Sequence, residues 1–248
     1  MIELKSPSEL EKMRAAGRIV AETLALIREM AKPGVTTLEL DRAAEEYIRA
    51  QGAIPAFKGY RGFPATLCTS LNEQVVHGIP DLRHLEPGDI ISIDCGAVID
   101  GFFGDSALTL PIGEVGEDLR RLLTVTEESL MLGIAQAKRG NRLYDISHTV
   151  QTHVETNGFS VVRDYVGHGI GKAMHEDPQI PNYGKHGRGP RLEVGMTLAI
   201  EPMVNMGTYE VKLLDNKWTV ITKDGRPSAH FEHTVAITEN GPEILTRC

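Results

Sequence analysis

Apolar positions in the first fifty residues recur at three- and four-residue spacings, which is the pattern of amphipathic helices. A first helix is predicted to begin after Ser6, because a proline follows this cap residue and Glu9 stands three residues beyond it. Its apolar positions continue to Met30, where a Lys-Pro-Gly sequence follows. A second helix is predicted from a cap at Thr36 to about Ala50.

The pattern then changes to short β-rich runs, and one of these runs contains acids. Residues 90–110 read IISIDCGAVIDGFFGDSALTL. The Asp100-Gly101 pair between two apolar runs predicts a two-residue hairpin turn. Such a turn would make Asp94 and Asp105 diagonal neighbours on one face, with Cβ atoms roughly 7 Å apart. Two carboxylates at this separation in a poorly hydrated site are costly unless a cation neutralises them.

An internal repeat relates the two halves of the chain. Six positions of the first half match six positions of the second half at a constant offset of 106 residues. Those of the first half are Gly34, Leu38, Leu40, Ala44, Ile48 and Gly52, and those of the second half are Gly140, Tyr144, Ile146, Val150, Val154 and Gly158. The repeat predicts one domain spanning residues 1–248, with halves of about 1–112 and 113–248. The expected fold class is α+β, with two pseudo-two-fold-related halves whose antiparallel or mixed sheets are covered by helices.

The same repeat doubles the acids of the hairpin. LEPGDIISID is echoed by LEVGMTLAIE, which aligns Asp94 with Glu201, and DSALTL is echoed by EHTVAI, which aligns Asp105 with Glu232. A His-Gly-Ile sequence also occurs in each half, at His77 and at His168. Each half would therefore contribute two strand-borne acids and one imidazole to a shared site.

A set of four carboxylates and one or two imidazoles suits borderline-hard divalent ions such as Mn, Fe, Co or Zn. Enough ligands are present for two bridged metal ions, an arrangement typical of hydrolysis. Glu232 alternates with His233, so only one of these two side chains would face the site. His230 shares the parity of Glu232 and stays open as a ligand.

Composition narrows the class of protein. The 248 residues are 41% hydrophobic and 24% charged, with a net charge of −8, which fits a globular protein and argues against binding to nucleic acid. Three cysteines without a CxxC pair fit a reducing cytoplasm. No signal peptide or membrane-spanning run is expected.

Several motifs together resemble the type I methionine aminopeptidases, a group within the metallopeptidases that share the pita-bread fold. The motifs are CTSLNEQVVHGIP at 68–80, the 89–109 hairpin, YVGHGIGKAMHEDP at 165–178, LAIEPM at 198–203 and HFEHTVAIT at 230–238. The resemblance implies removal of the initiator methionine from nascent polypeptides whose second residue is small. It also implies a monomer with two divalent metal ions, peptide N-termini as partners, and a transient ribosome contact as an open question.

The resemblance also assigns roles to individual residues. It implies five metal ligands: Asp94, Asp105, His168, Glu201 and Glu232. Glu201 would in addition move a proton, while His77 and His175 would contact the substrate and the developing oxyanion. The implied methionine pocket includes Tyr60, Phe63, Cys68, His77, His175 and Trp218.

The chain departs from the family pattern at two positions, and two other functions remain as alternatives. Phe57 and Met174 stand where relatives can have a cysteine and a phenylalanine, which concerns the shape of the pocket and not the ligands. One alternative is an Xaa-Pro peptidase related to prolidase or aminopeptidase P, although these usually have an additional N-terminal domain. The other alternative is a pita-bread binding module without catalysis.

Overall fold

The computed structural model describes residues 2–248. The helices are α1 (Pro7–Met30), α2 (Thr37–Ala50), α3 (Glu117–Ile134) and α4 (Leu143–Thr156), with a 3-10 turn at Tyr60–Gly62. The strands of the first half are β1 (Ile54–Pro55), β2 (Leu67–Leu71), β3 (Gln74–Val76), β4 (Ile90–Ile99) and β5 (Phe102–Pro111). Those of the second half are β6 (Ser160–Val161), β7 (Gly167–Gly169), β8 (Glu176–Ile180), β9 (Thr197–Ile200), β10 (Met203–Asn205), β11 (Val211–Leu213), β12 (Val220–Thr222), β13 (Ser228–His230), β14 (His233–Thr238) and β15 (Gly241–Ile244).

Capping boxes start the first two helices, as the sequence predicts. Ser6 Oγ accepts the backbone N–H of Glu9, and the Glu9 carboxylate accepts the backbone N–H of Ser6. Thr36 and Glu39 form the same pair at the start of α2. Each cap stabilises its helix by about 1 kcal/mol, because it satisfies backbone donors that have no partner within the helix.

The hairpin of β4 and β5 has the register that its turn predicts. Asp94 lies opposite Ala107, and Gly96 lies opposite Asp105. The turn residues Asp100 and Gly101 both have positive φ, at 51° and 76°, as a type I′ turn requires. Asp94 and Asp105 therefore share one face. β4 also pairs with β1 and β2, which completes a four-stranded sheet.

The second half contains a five-stranded sheet in the order β15-β14-β9-β7-β8. Two smaller sheets have the orders β13-β10-β6 and β11-β12-β3. Helices α2 and α4 both have 14 residues and begin 106 positions apart, at 37 and 143. The helical part of the repeat is therefore visible in the structure.

A seam of hydrogen bonds joins the two halves next to the acids. The backbone N–H of Glu232 donates to the Ala107 carbonyl over 2.9 Å. Thr234 Oγ1 donates to the Asp105 carbonyl over 2.7 Å and accepts the Asp105 N–H over 3.1 Å. These contacts bring one acid from each half to neighbouring positions, which is how the fold assembles a shared site.

Helix α1 packs closely against Leu245, because a glycine in the helix allows the approach. Leu10, Met13, Val20 and Ile27 are buried on its inner face. A Cβ on Gly17 would lie 2.3 Å from the Leu245 carbonyl oxygen, so only glycine fits there. No helix within residues 2–248 has both the length and the apolar character needed to cross a membrane.

Candidate metal centre

A cavity of about 170 Å³ lies against the acid-bearing face of the hairpin. It is lined by Phe57, Tyr60, Arg61, Phe63, Cys68, His77, Asp94, Asp105, His168, Met174, His175, Glu201, Trp218 and Glu232. A larger groove of about 1060 Å³ lies between α1 and α3, but its lining includes none of the four repeated acids. The smaller cavity is therefore the candidate site, and it contains every site residue that the sequence singled out.

Five polar side chains form the floor of this cavity. Asp94 lies in β4, Asp105 in β5 and His168 in β7. Glu201 directly follows β9, and Glu232 directly precedes β14. The expectation that all four acids are strand-borne is thus wrong for the second half, because the backbone leaves the ladder at both glutamates. Their longer side chains still reach the site from these strand ends.

The polar side chains of the floor lie close to one another. His168 Nε2 lies 3.6 Å from Glu201 Oε1 and 3.9 Å from Asp105 Oδ2. Asp105, His168 and Glu232 each place one potential ligand atom within 4.8 Å of the others. Among the described residues, Asp94 Oδ1, Asp105 Oδ1 and Glu232 Oε1 are buried without a hydrogen-bond partner.

Buried carboxylate oxygens without a hydrogen-bond partner destabilise the folded state, because they lose their hydration and no hydrogen bond in the protein replaces it. Asp94, Asp105 and Glu232 all line the same cavity, and potential ligand atoms of Asp105 and Glu232 lie within 4.8 Å of each other. A divalent cation would satisfy several of them at once, and oxygen ligands with an imidazole are a suitable donor set. The residues present therefore fit a divalent metal ion.

Burial makes the ionisation of the floor costly when no cation is bound. It raises the pKa of Asp94 to about 7 and the pKa of Glu201 to about 8. The pKa values of Asp105 and Glu232 also rise well above their ordinary values, first through burial and then through neighbouring carboxylates. A cation bound among these carboxylates would lower their pKa values and so oppose the effect of the neighbouring negative charges.

The His168 ring is oriented for coordination through Nε2. Its Nδ1 lies 2.9 Å from the Gly169 carbonyl oxygen, to which it donates. This hydrogen bond fixes the tautomer and directs the Nε2 lone pair toward the carboxylates. Burial lowers the pKa of His168 to about 4, so the ring is neutral at physiological pH.

His77 and His175 lie on the sides of the cavity. His77 directly follows β3 with a positive φ of 60°, and its ring meets Tyr165 edge-on at 5.7 Å. Burial lowers the pKa of His77 to about 4. The Nδ1 atom of His175 lies 2.9 Å from the Tyr60 hydroxyl, and burial lowers the pKa of this ring as well. Both imidazoles are thus neutral hydrogen-bonding groups near pH 7.

An apolar wall forms the remaining side of the cavity. Phe63 and Trp218 meet edge-on with ring centroids 5.1 Å apart. Cys68 lies opposite Asp94 in the register of β2 and β4, which places the thiol beside the floor. Phe57 and Met174, the two departures noted in the sequence, are buried in the same apolar cluster. The wall therefore presents an apolar and partly aromatic surface to the cavity.

Two neighbouring histidines separate in the structure. His230 is buried, and its Nε2 atom lies 3.5 Å from Glu201 Oε2. His233 turns away from the cavity, where its Nδ1 atom lies 2.9 Å from the Thr246 hydroxyl. Parity correctly separates His233 from Glu232. Sequence reasoning missed Arg61, which also lines the cavity. Its backbone has a positive φ of 49°, and no sequence motif surrounds it.

Comparison with known proteins agrees with this geometry. The profile of metallopeptidase family M24 matches residues 11–239. The chain is 60% identical to the methionine aminopeptidase of Clostridium acetobutylicum and 59% identical to methionine aminopeptidase 1 of Bacillus subtilis, with 100% of each chain covered. A crystal structure of methionine aminopeptidase from Thermotoga maritima superposes with a TM-score of 0.99 at 49% identity, again covering 100% of both chains. The predicted α+β pita-bread fold is confirmed.

Proposed function

The chain belongs to metallopeptidase family M24, and from this premise we propose that it is a metal-dependent aminopeptidase that hydrolyses N-terminal methionine from polypeptides. The resemblance predicted from its motifs is confirmed by relatives of 58–60% identity that bear the name methionine aminopeptidase. The observation that supports the chemistry best is that carboxylates with buried, partnerless oxygens line one cavity together with His168.

The proposed ligands of two divalent ions are the five floor residues: Asp94, Asp105, His168, Glu201 and Glu232. Co, Mn, Fe and Zn are the candidate metals, since all accept carboxylate and imidazole ligands. When bound, such ions supply Lewis acidity, which lowers the pKa of water and polarises a carbonyl group. The buried, partnerless carboxylate oxygens support this assignment.

Three residues of the cavity, one of them the ligand Glu201, are proposed to act on the peptide. Glu201 is proposed to carry the proton from the attacking water to the leaving amine, because its carboxylate lies among the five floor residues beside His168 Nε2, 3.6 Å away. His175 is proposed to accept a hydrogen bond from the Tyr60 hydroxyl at Nδ1, 2.9 Å away. In this tautomer its neutral ring has Nε2–H to donate to the developing oxyanion. His77 is proposed to hydrogen-bond the substrate peptide from the opposite side.

The methionine side chain is proposed to occupy the apolar wall of Tyr60, Phe63, Cys68 and Trp218. A thioether is recognised by packing and by contacts between sulfur and aromatic rings, and both kinds of surface are present. The cavity of about 170 Å³ is the size for one side chain. A small second residue is proposed because the resemblance implies it.

We also propose a cytoplasmic monomer that acts on nascent chains. Cys68, Cys95 and Cys248 are free thiols, and the first two are buried, which fits a reducing compartment. A transient ribosome contact is part of this proposal, and cosedimentation with purified ribosomes would test it.

The test is a peptide assay with each candidate metal in turn. We expect release of methionine from Met-Ala-Ser, little release from Met-Leu-Ser, and no cleavage of Xaa-Pro dipeptides. Glu201→Gln preserves the size of the side chain and should lower kcat by about 10² to 10⁴, while Glu239→Gln on the surface should not change it. Cleavage of Xaa-Pro peptides alone would indicate the prolidase alternative, and absence of all cleavage would indicate a binding module.

A further inference from the structure

A buried ion pair joins the N-terminal segment to the loop that contains His175. Lys5 Nζ contacts Glu176 Oε2, and the two side chains are only 4% and 13% exposed. These residues are separated by 171 positions in the chain. Lysine and glutamate are rarely buried to this extent unless they are paired, and removal of one partner from such a pair is strongly destabilising.

Glu176 shapes the loop before it. Its second carboxylate oxygen, Oε1, accepts the backbone N–H of Lys172 over 2.8 Å and that of Ala173 over 3.1 Å. The carboxylate is therefore held by Lys5 on one side while it closes the turn at 172–173 on the other. Met174 and His175, which line the cavity, follow this turn directly.

The Lys5 side chain is itself fixed in place. The Lys5 backbone N–H donates to the Gly195 carbonyl over 2.7 Å. A Cβ on Gly171 would lie 2.3 Å from Lys5 Cε and 2.7 Å from Glu176 Oε1, so the ion pair packs directly against the loop backbone. The Gly171 carbonyl in turn accepts the Phe103 N–H over 2.9 Å.

From these contacts we propose that Lys5 is a positioning residue for catalysis: through Glu176 it holds the 171–176 loop so that His175 stays within reach of the scissile carbonyl. This inference rests on the proposed function for the role of His175. Without the Lys5 ammonium, only the N–H groups of Lys172 and Ala173 compensate the largely buried Glu176 carboxylate. The carboxylate then turns toward water, which releases the turn.

The chain offers a matched control, because a second ion pair joins the same loop to the same N-terminal region. Lys172 Nζ lies 2.7 Å from Glu9 Oε1, but these side chains are 61% and 27% exposed. An exposed pair of this kind contributes little. Lys172→Met should therefore leave the loop and the catalytic rate as they are.

The experiment compares Lys5→Met, Lys5→Arg and Lys172→Met with the unmodified protein. In Lys5→Met, kcat and kcat/KM for Met-Ala-Ser should fall together by about 10- to 100-fold, because a group misplaced in the transition state affects both alike. Lys5→Arg should recover most of the rate, and Lys172→Met should stay within about twofold. Amide hydrogen exchange at 170–176 should quicken only in Lys5→Met.

A double variant separates positioning from mere stability. Lys5→Met/Glu176→Leu removes both charges and also the oxygen that closes the turn, so thermal stability should recover while kcat stays low. Recovery of kcat together with stability would overturn the proposal, as would an unchanged kcat in a folded Lys5→Met protein. Hydrogen exchange needs no catalysis, so it tests the hold on the loop even if the unmodified protein cleaves no peptide. Unchanged exchange in Lys5→Met would also contradict the proposal.

Discussion

Replacing Asp94 by asparagine should stabilise the metal-free protein at pH 8. Asp94 is half-buried in the floor of the cavity with its Oδ1 atom shielded from solvent, and this desolvation raises its pKa from 3.8 to about 7. The folded protein therefore keeps the proton of Asp94 over a pH range in which the unfolded chain has lost it. The free energy of unfolding consequently falls as the pH rises from about 4 to about 7. Asparagine has a similar shape and no proton to lose, so the variant avoids this loss.

The magnitude follows from the pKa difference. One pKa unit corresponds to about 1.4 kcal/mol, so the shift from 3.8 to about 7 amounts to about 4 kcal/mol. For a chain of this size, that difference corresponds to a melting temperature about 10 °C higher. The advantage should be complete above pH 7 and absent near pH 4. The neutral buried imidazoles of His77 and His168 lose stability toward acid in both proteins. His230 interacts with the charge of Asp94, so the difference is read at pH 8, where burial keeps His230 neutral in both proteins.

The assay is thermal unfolding of chelator-treated protein from pH 4 to pH 8. Asp100→Asn is the matched control, since Asp100 is an exposed turn residue of the same hairpin and should change stability little at any pH. Added Mn²⁺ should then raise the melting temperature of the unmodified protein more than that of Asp94→Asn. An Asp94→Asn protein that is less stable at pH 8, or a difference that does not vary with pH, would refute the electrostatic reasoning.

Two further predictions concern the pocket wall and the packing of α1. Trp218→Ala removes the ring that meets Phe63, so the KM for Met-Ala-Ser should rise about tenfold, a loss of about 1.4 kcal/mol of binding free energy. Leu213→Ala on nearby β11 is the control. An equal KM in both variants would contradict a role of Trp218 in the pocket. Gly17→Ala should lower the free energy of unfolding by about 2 kcal/mol, because the new Cβ meets a backbone carbonyl 2.3 Å away. A Cβ on Gly116 would have no atom within 4 Å, so Gly116→Ala is the control. Denaturant titration of both variants should show a loss of unfolding free energy for Gly17→Ala and no comparable loss for Gly116→Ala.

Local features of the fold could be predicted because their causes lie close together in the sequence. The Ser6 capping box places the start of α1, and the Asp100-Gly101 turn determines the register that puts Asp94 and Asp105 on one face. The second pair of acids could be predicted because the repeat relates them to the first pair. Their exact setting could not, because whether Glu201 falls inside a strand or at its end depends on how the ladder terminates.

Contacts between distant segments account for what the sequence did not reveal. The pairing of Lys5 with Glu176 spans 171 positions and has no periodic pattern that would indicate it. Arg61 reaches the cavity through a local backbone conformation with positive φ, which the residue type does not suggest. The approach of His230 to Glu201 likewise depends on the pairing of β10 with β13.

The central claim is that the two halves of the chain pool their acids and His168 into one site for divalent metal. The most direct test is anomalous diffraction from crystals soaked in Mn²⁺, recorded at a wavelength at which manganese scatters anomalously. We expect anomalous density on the cavity floor, within bonding distance of Asp105, His168 and Glu232, with Asp94 and Glu201 completing the coordination. Density confined to other parts of the surface, or a floor without density at saturating Mn²⁺, would contradict the claim.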